Sequence, residues 1–254
     1  MTSGTGHKQF VESLESFTHQ HRSRQWEGTF ADYLEQIVHP QAALATRNSH
    51  QYVWDMLRWM QASEGGSDGK LKLFSRELYG IDPALERIVD YFKAASAGSE
   101  VGRRLLLLLG PPSGGKSSLV ILMKRGMEEY SHTDEGALYA LKGSPLHENP
   151  LCLVPHTLRA EFRDTYGVDI QGDLSPFCQS ILEQEYEGDF MRYPVERIFL
   201  SEAKRVGVGT YAPHDPTTAD IADLIGSVDL AKVSEFGDEG DPRAWSWSGA
   251  VYSA

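Results

Sequence analysis

Between Arg103 and Met123 the chain reads RRLLLLLGPPSGGKSSLVILM: an apolar block, a glycine-rich bend, a lysine, two serines and a second apolar block. This stretch restricts the fold more tightly than anything else in the sequence. The unbroken apolar run predicts a central parallel strand from Arg103 to Leu109, covered on both faces. After the bend, Leu119, Val120, Leu122, Met123 and Met127 predict a helix over about 115–130 with those residues turned inward. Strand, loop and helix in that order are the frame of a nucleotide-binding α/β sheet.

The bend itself satisfies the phosphate-loop pattern, a glycine, four residues and then Gly-Lys-Ser, across Gly110, Pro111, Pro112, Ser113, Gly114, Gly115, Lys116 and Ser117, with Ser118 next in line. Glycines let successive backbone N–H groups turn onto phosphates at a helix N-terminus, where the helix dipole also favours negative charge. Lys116 would span the β- and γ-phosphates of ATP, and the Ser117 hydroxyl would ligate magnesium. These nine residues are the candidate ATP-binding loop, and Ser117 is the candidate Mg ligand.

The second half of an ATPase site is harder to find. No run of aliphatics ending in Asp-Glu follows the loop; RIFLSE, ending at Glu202, is the nearest imitation, with Ser201 where a magnesium-associated aspartate would stand. Glu148, Glu202 and the acids of the tail are the groups that could replace it. Gly207-Val-Gly209 imitates a dinucleotide fingerprint, but Pro213 and Pro216 follow where a helix should open. Ser201 and Lys204 have the spacing of a serine–lysine pair without its partner motifs, and read as an exposed strand end. No eukaryotic-type kinase motif occurs.

Around this centre the first sixty residues read as helices. GTFADYLEQIVHP places Phe30, Tyr33, Leu34, Ile37 and Val38 on one face, with Thr29 and Asp32 as a capping pair and Pro40 closing the segment. NSHQYVWDMLRWMQ follows, capped by Asn48 or Ser49, with Tyr52, Val53, Met56, Leu57 and Met60 on one side. SEGGSDGK, 63–70, is small, polar and glycine-rich, so the chain divides into a helical segment over 1–62, a linker over 63–70 and a phosphate-loop domain over 71–254. In that domain Asp82 and Pro83 start a helix whose stripe is Leu85, Ile88, Val89 and Phe92. GALYALKG and YPVERIFLSE read as further strands, TLRAEFRDTYG and SPFCQSILEQEYEG as helices, the latter capped by Ser175. TADIADLIGS and VDLAKVSEF read as two short amphipathic helices.

Composition narrows the function. The chain has 254 residues, 24 Lys and Arg against 36 Asp and Glu, and a formal charge of −12. Such a surface repels phosphate backbones and anionic lipid, which argues against nucleic acid and membrane as partners. Cys152 and Cys178 form no metal or disulfide pattern and suit a reducing cytosol. The N-terminus carries no signal-like apolar run, so the expectation is a cytoplasmic protein.

Several stretches together resemble the AAA-type module of the PrkA family of bacterial serine protein kinases: WEGTFADYLE, LYGIDPALERIVDYFKAAS, GPPSGGKSSL, YALKGSPLHENPL, RIFLSEAKRVGVGTYAPHDP, DIADLIGSVDL and DPRAWSWSGAVYSA. The resemblance implies a P-loop NTPase, AAA+-like, with a parallel sheet and flanking helices, preceded by a small helical segment and binding Mg-ATP. It makes Tyr79, Gly80 and Ile81 candidates for contact with the adenine base, although Tyr79 could equally belong to the core. Family chains continue into a Walker B strand, sensor and arginine-finger elements and a kinase region. Three plausible strands instead of five say the same, and the chain reads as the front part of a larger protein or a truncated relative. Two functions follow: an ATP-dependent protein phosphotransferase, or a mechanochemical AAA+ scaffold in which ATP controls homo-oligomer assembly.

Overall fold

The computed structural model describes residues 24–63, 80–212 and 220–252, with Leu78 and positions 7, 8, 10, 11, 13 and 14. Tyr79 and 64–70, most of the expected linker, lie outside the described residues.

The chain enters through β1 (Glu27–Thr29), a one-turn helix α1 (Phe30–Tyr33), a π-helical turn over Leu34–Val38 and α2 (His39–Ala45). The expected capping pair is present: the Thr29 Oγ accepts from the Asp32 N–H at 3.2 Å while the Thr29 N–H donates to the Asp32 carboxylate at 2.8 Å. The Thr29 hydroxyl, which donates to the Asp32 carboxylate at 2.6 Å, and the Thr29 N–H hold the Asp32 carboxyl below its ordinary pKa. Pro40 does not close the segment as the sequence led us to expect. Proline removes one backbone donor and crowds the preceding turn, and the chain absorbs this with the wide π turn and a non-helical Gln41 (φ −146°, ψ 53°) before continuing to Ala45.

Next come α3 (Ser49–Ser63), α4 (Asp82–Ser96) and α5 (Lys116–Ser131). Asn48, of the two candidates, caps α3, its Oδ1 accepting from the Gln51 N–H at 2.9 Å. In α4 the cap falls one residue earlier than expected, on Ile81, so Asp82 and Pro83 are the first two helical positions. Tyr52, Met56 and Leu57 of α3, Leu85, Ile88 and Val89 of α4 and Leu119, Leu122 and Tyr130 of α5 share one apolar core. Gly126, inside α5, costs helix stability of about 1 kcal/mol relative to alanine. A Cβ there would stand 2.7 Å from the Met60 sulfur and 3.0 Å from that of Met56, so its absence admits α3.

The remaining elements are β2 (Leu138–Leu141), α6 (Arg159–Tyr166), α7 (Pro176–Tyr186), β3 (Pro194–Ile198), α8 (Ala222–Ile225), β4 (Ser227–Val228), α9 (Leu230–Phe236) and β5 (Trp245–Ser246). Ser175 caps α7 through the Cys178 N–H. β3 lies between β1 and β2, antiparallel to both, with Val195 opposite Gly28 and Leu141. Under this sheet Phe30, Tyr33, Leu141, Leu151, Cys178, Tyr193 and Val195 form a second core. β4 and β5 make a small antiparallel hairpin.

Two expectations need correction here. Every strand pair among the described residues is antiparallel, and Arg103–Leu109 is not a strand: Glu100–Arg103 is a 3₁₀ turn, after which the leucines run without sheet partners. Leu105, Leu107 and Leu109 are 98%, 73% and 82% exposed. A central strand needs neighbours on both sides and helices on both faces, and here α4 and α5 supply packing on one side only, chiefly to Leu108. Val120, expected inward, is exposed, because it projects about 100° around the helix from Leu119 and away from the core.

Candidate functional site

The loop turns through two left-handed residues, Ser113 (φ 62°) and Gly115 (φ 79°), before α5 begins at Lys116. Glycine takes that conformation without strain; Ser113 accepts it in a turn closed by the Gly114 N–H donating to the Pro111 carbonyl at 3.2 Å. Gly115 also lies against the helical core, since a Cβ would meet Leu78 at 3.4 Å and Ile81 at 3.7 Å.

Helix geometry leaves the N–H groups at the start of α5, Gly115 to Ser118, without intrahelical acceptors. The first turn carries no acidic residue, and Ser113, Ser117 and Ser118 are exposed. The Lys116 ammonium folds back over the loop and donates to the Gly110 carbonyl at 2.9 Å and the Pro111 carbonyl at 2.6 Å. The result is a concave turn with a cation in its mouth and free donors on a helix end, an arrangement that attracts anions.

Beside the loop is a cavity of about 290 Å³ whose lining includes Ile81, Ala84, Arg87, Leu107, Gly115 and Lys116. It brings Ile81 together with the loop residues. Gly80, with φ 75°, immediately precedes it and is exposed; Tyr79 lies outside the described residues. Ala84 and Arg87, which line the cavity too, were not singled out from sequence, and Ile88 was read only as part of the buried stripe. The available signal for Ala84 and Ile88 was their spacing from Ile81, since positions three and seven ahead fall on the same helical face.

The acidic candidates have other occupations. Glu148 ties the segment after β2 to the start of α7: its carboxylate accepts from the Ser175 N–H at 2.6 Å and from the Ser175 and Ser144 hydroxyls, both at 2.8 Å. Glu202 accepts from the Lys124 ammonium and from the Thr210 hydroxyl, which together hold its carboxyl below the ordinary range. Lys124 is eight residues along α5 from Lys116, or about 12 Å of helix rise. Ser201 begins a tight hairpin, paired with Val206 through N–H···O bonds of 3.0 and 2.9 Å. Its hydroxyl accepts from the Lys204 backbone N–H, so no serine–lysine side-chain pair forms. No cluster of three or more His, Cys, Asp or Glu suited to a metal occurs among the described residues. No described helix is long and apolar enough to cross a membrane.

Residues 28–254 match the family described as the PrkA AAA domain. Over 245 residues the chain is 45% identical to the ATP-dependent protease PrkA of Bacillus subtilis (strain 168), covering 96% of this chain and 38% of that protein. Over 186 residues it is 32% identical to the serine/threonine kinase YeaG of Escherichia coli (strain K12), covering 70% of this chain and 28% of that protein. The chain therefore spans less than two-fifths of the length of either relative. No solved structure matches it. With the match running from β1 through the phosphate loop to the last residue, the chain belongs to the PrkA AAA domain family.

Proposed function

We propose that this AAA domain binds Mg-ATP through Gly110–Ser118, with the polyphosphate on the N–H groups of the loop and of the first turn of α5. The observation that carries the reading is the open, acid-free start of α5 with the Lys116 ammonium held over the loop by two carbonyls. Nucleotide would draw that ammonium off the Gly110 and Pro111 carbonyls onto its terminal phosphates, exchanging neutral acceptors for charged ones. The base would enter the adjoining cavity against Gly80, Ile81 and Ala84. Tyr79 remains a candidate for the same role.

Magnesium fits this donor set in a limited way. The exposed Ser117 hydroxyl is a hard oxygen next to the phosphate position, and magnesium commonly keeps several waters and uses few protein ligands beside phosphate oxygens. When bound, the ion would neutralise phosphate charge; Ser117 would orient it.

The segment division into 1–62, 63–70 and 71–254 is retained as a proposal, as are a cytoplasmic setting and a homo-oligomer. For the whole protein, ATP-dependent phosphorylation of a protein is one reading, suggested by the name of the kinase relative. ATP-driven mechanical or scaffolding work on a protein partner, without phosphorylation, is the other; the relative named as an ATP-dependent protease also couples ATP to action on a protein. Both use the same nucleotide site.

Titration with a fluorescent ATP analogue tests the site. Lys116→Ala should weaken binding about ten- to a hundredfold, the worth of one charge-assisted hydrogen bond. Ser117→Ala should leave magnesium-free binding unchanged and reduce the gain that magnesium brings. Equal affinity of wild type and Lys116→Ala would overturn the assignment.

A further inference from the structure

A cavity of about 230 Å³ opens between the π-helical turn and α2 on one side and β2 and β3 on the other, lined by Ile37, Pro40, Leu44, Ala137, Tyr139 and Arg197 among others. It sits beyond the C-terminal end of α5, whereas the phosphate loop is at the N-terminal end, about 24 Å of helix away. Nothing in the nucleotide site uses it.

Arg197 makes this cavity unusual. Its side chain is only 6% exposed. Nη2 donates to the Thr133 carbonyl at 2.7 Å and to the Ser131 carbonyl at 3.4 Å, and the guanidinium lies 5.2 Å from the centre of the Phe199 ring. Nε is buried and has no acceptor. The nearest carboxylate, that of Asp134, stands 3.6 Å from Nη1 on a side chain that is 97% exposed. A buried N–H without an acceptor is costly, and the ion pair with Asp134, on a side chain that stands in solvent, offsets little of the cost of burying the charge. The opposite wall is the stretch where the helix departs from α geometry, at the π turn and at Gln41. Such π segments recur at binding sites.

We propose that this cavity binds a small carboxylate with an apolar body, the carboxylate on the Arg197 guanidinium and the body against Ile37, Pro40, Leu44 and Tyr139. A carboxylate matches the planar donor fork of arginine. The volume lies below the roughly 300–1,000 Å³ of drug-sized sites, which limits the ligand to a small metabolite. Asp134, the acid at the rim, competes for the same cation and sets an upper limit on affinity.

Benzoate and its neutral analogue benzamide are suitable probes, followed by NMR on the Arg197 side-chain N–H signals and by saturation transfer. Benzoate should shift the Arg197 side-chain N–H signals and bind about tenfold or more tightly than benzamide, since only benzoate brings a full countercharge and two equivalent oxygens to the guanidinium. Asp134→Asn should tighten benzoate binding severalfold, the opposite of what loss of a structural contact would do. Ala137→Leu should fill the cavity and remove benzoate binding while the circular dichroism spectrum stays unchanged. Arg197→Gln should also lose benzoate, but it removes bonds at the end of α5, so the Ala137 and Asp134 variants decide. The proposal is overturned if benzoate at millimolar concentration leaves the Arg197 signal unmoved, if benzamide binds equally well, or if folded Ala137→Leu binds benzoate as wild type does.

Discussion

The antiparallel sheet and the phosphate loop lie in one chain, yet they treat their side chains in opposite ways. Under the sheet, Phe30, Tyr33, Tyr193 and Val195 are almost wholly enclosed, and the Glu148 carboxylate is engaged by three donors. At the loop, the leucines on one side are exposed, and the helix end on the other has N–H groups without intrahelical acceptors. One region has spent its interactions on itself; the other keeps donors and a cation for something else. Enclosed packing and exposed hydrogen-bonding capacity are thus separated along the chain.

The largest expected effect tests that separation directly. Phe30→Ala, a large-to-small change inside the sheet core, should cost about 3–5 kcal/mol in urea unfolding. Leu105→Ala, at an exposed position of the leucine run, should stay within about 0.5 kcal/mol. Similar losses at both sites would break the comparison.

Burial under the sheet should also silence the Cys178 thiol, whose pKa is pushed up to about 11 from 9.0, chiefly by desolvation and also by the neighbouring Glu148 carboxylate. Thiolate at mildly alkaline pH then falls about a hundredfold. Alkylation by iodoacetamide, read site by site by mass spectrometry, should be slow at Cys178 until urea unfolds the chain. Fast labelling of the folded protein would show that the sheet core opens.

At the loop the expected stability effects are small. Lys116→Ala removes two hydrogen bonds at an exposed turn and should change unfolding by no more than about 1.5 kcal/mol, even while it weakens nucleotide binding. A loss as large as that of Phe30→Ala would mean that the ammonium is a structural strut, which sharpens the comparison in the other direction.

Glu202 gives the smallest effect. Its carboxyl is held below the ordinary 4.5 by Lys124 and Thr210. A depressed folded-state pKa stabilises above the unfolded-state value and loses that contribution as pH falls through the folded-state value. Unfolding followed from neutrality down through pH 4.5 and below should show an acid loss that is reduced in Glu202→Gln. Identical acid limbs would remove Glu202 from the ledger of stabilising groups.

Much of this was legible locally. Thr29 with Asp32, Asn48 with Gln51 and Ser175 with Cys178 are caps, and caps depend on residues two or three positions apart. The loop from Gly110 to Ser118 is legible for the same reason, because its turn, its cation and its helix start are consecutive. What misled was the leucine run: an apolar stretch states that it can be buried, and leaves open what would cover it. Pro40 misled in a related way, since a π turn and a kinked Gln41 can carry a helix past a proline, a remedy that depends on the packing of Tyr33 and Val38 below it.

The sequence by itself determined the caps at Thr29, Asn48 and Ser175, the glycine-rich turn before α5 and the acidic charge, because each rests on neighbouring residues or on composition. Only the tertiary structure decided that β1 pairs with β3, Gly28 opposite Val195, and that the sheet is antiparallel. It also decided that Glu148 and Glu202 are engaged by Ser175 and Lys124, and that Arg197 lies buried at a cavity with an unpaired N–H. Those outcomes depend on which distant groups meet in space, and the free energy of a buried charge or an exposed leucine is set by that meeting.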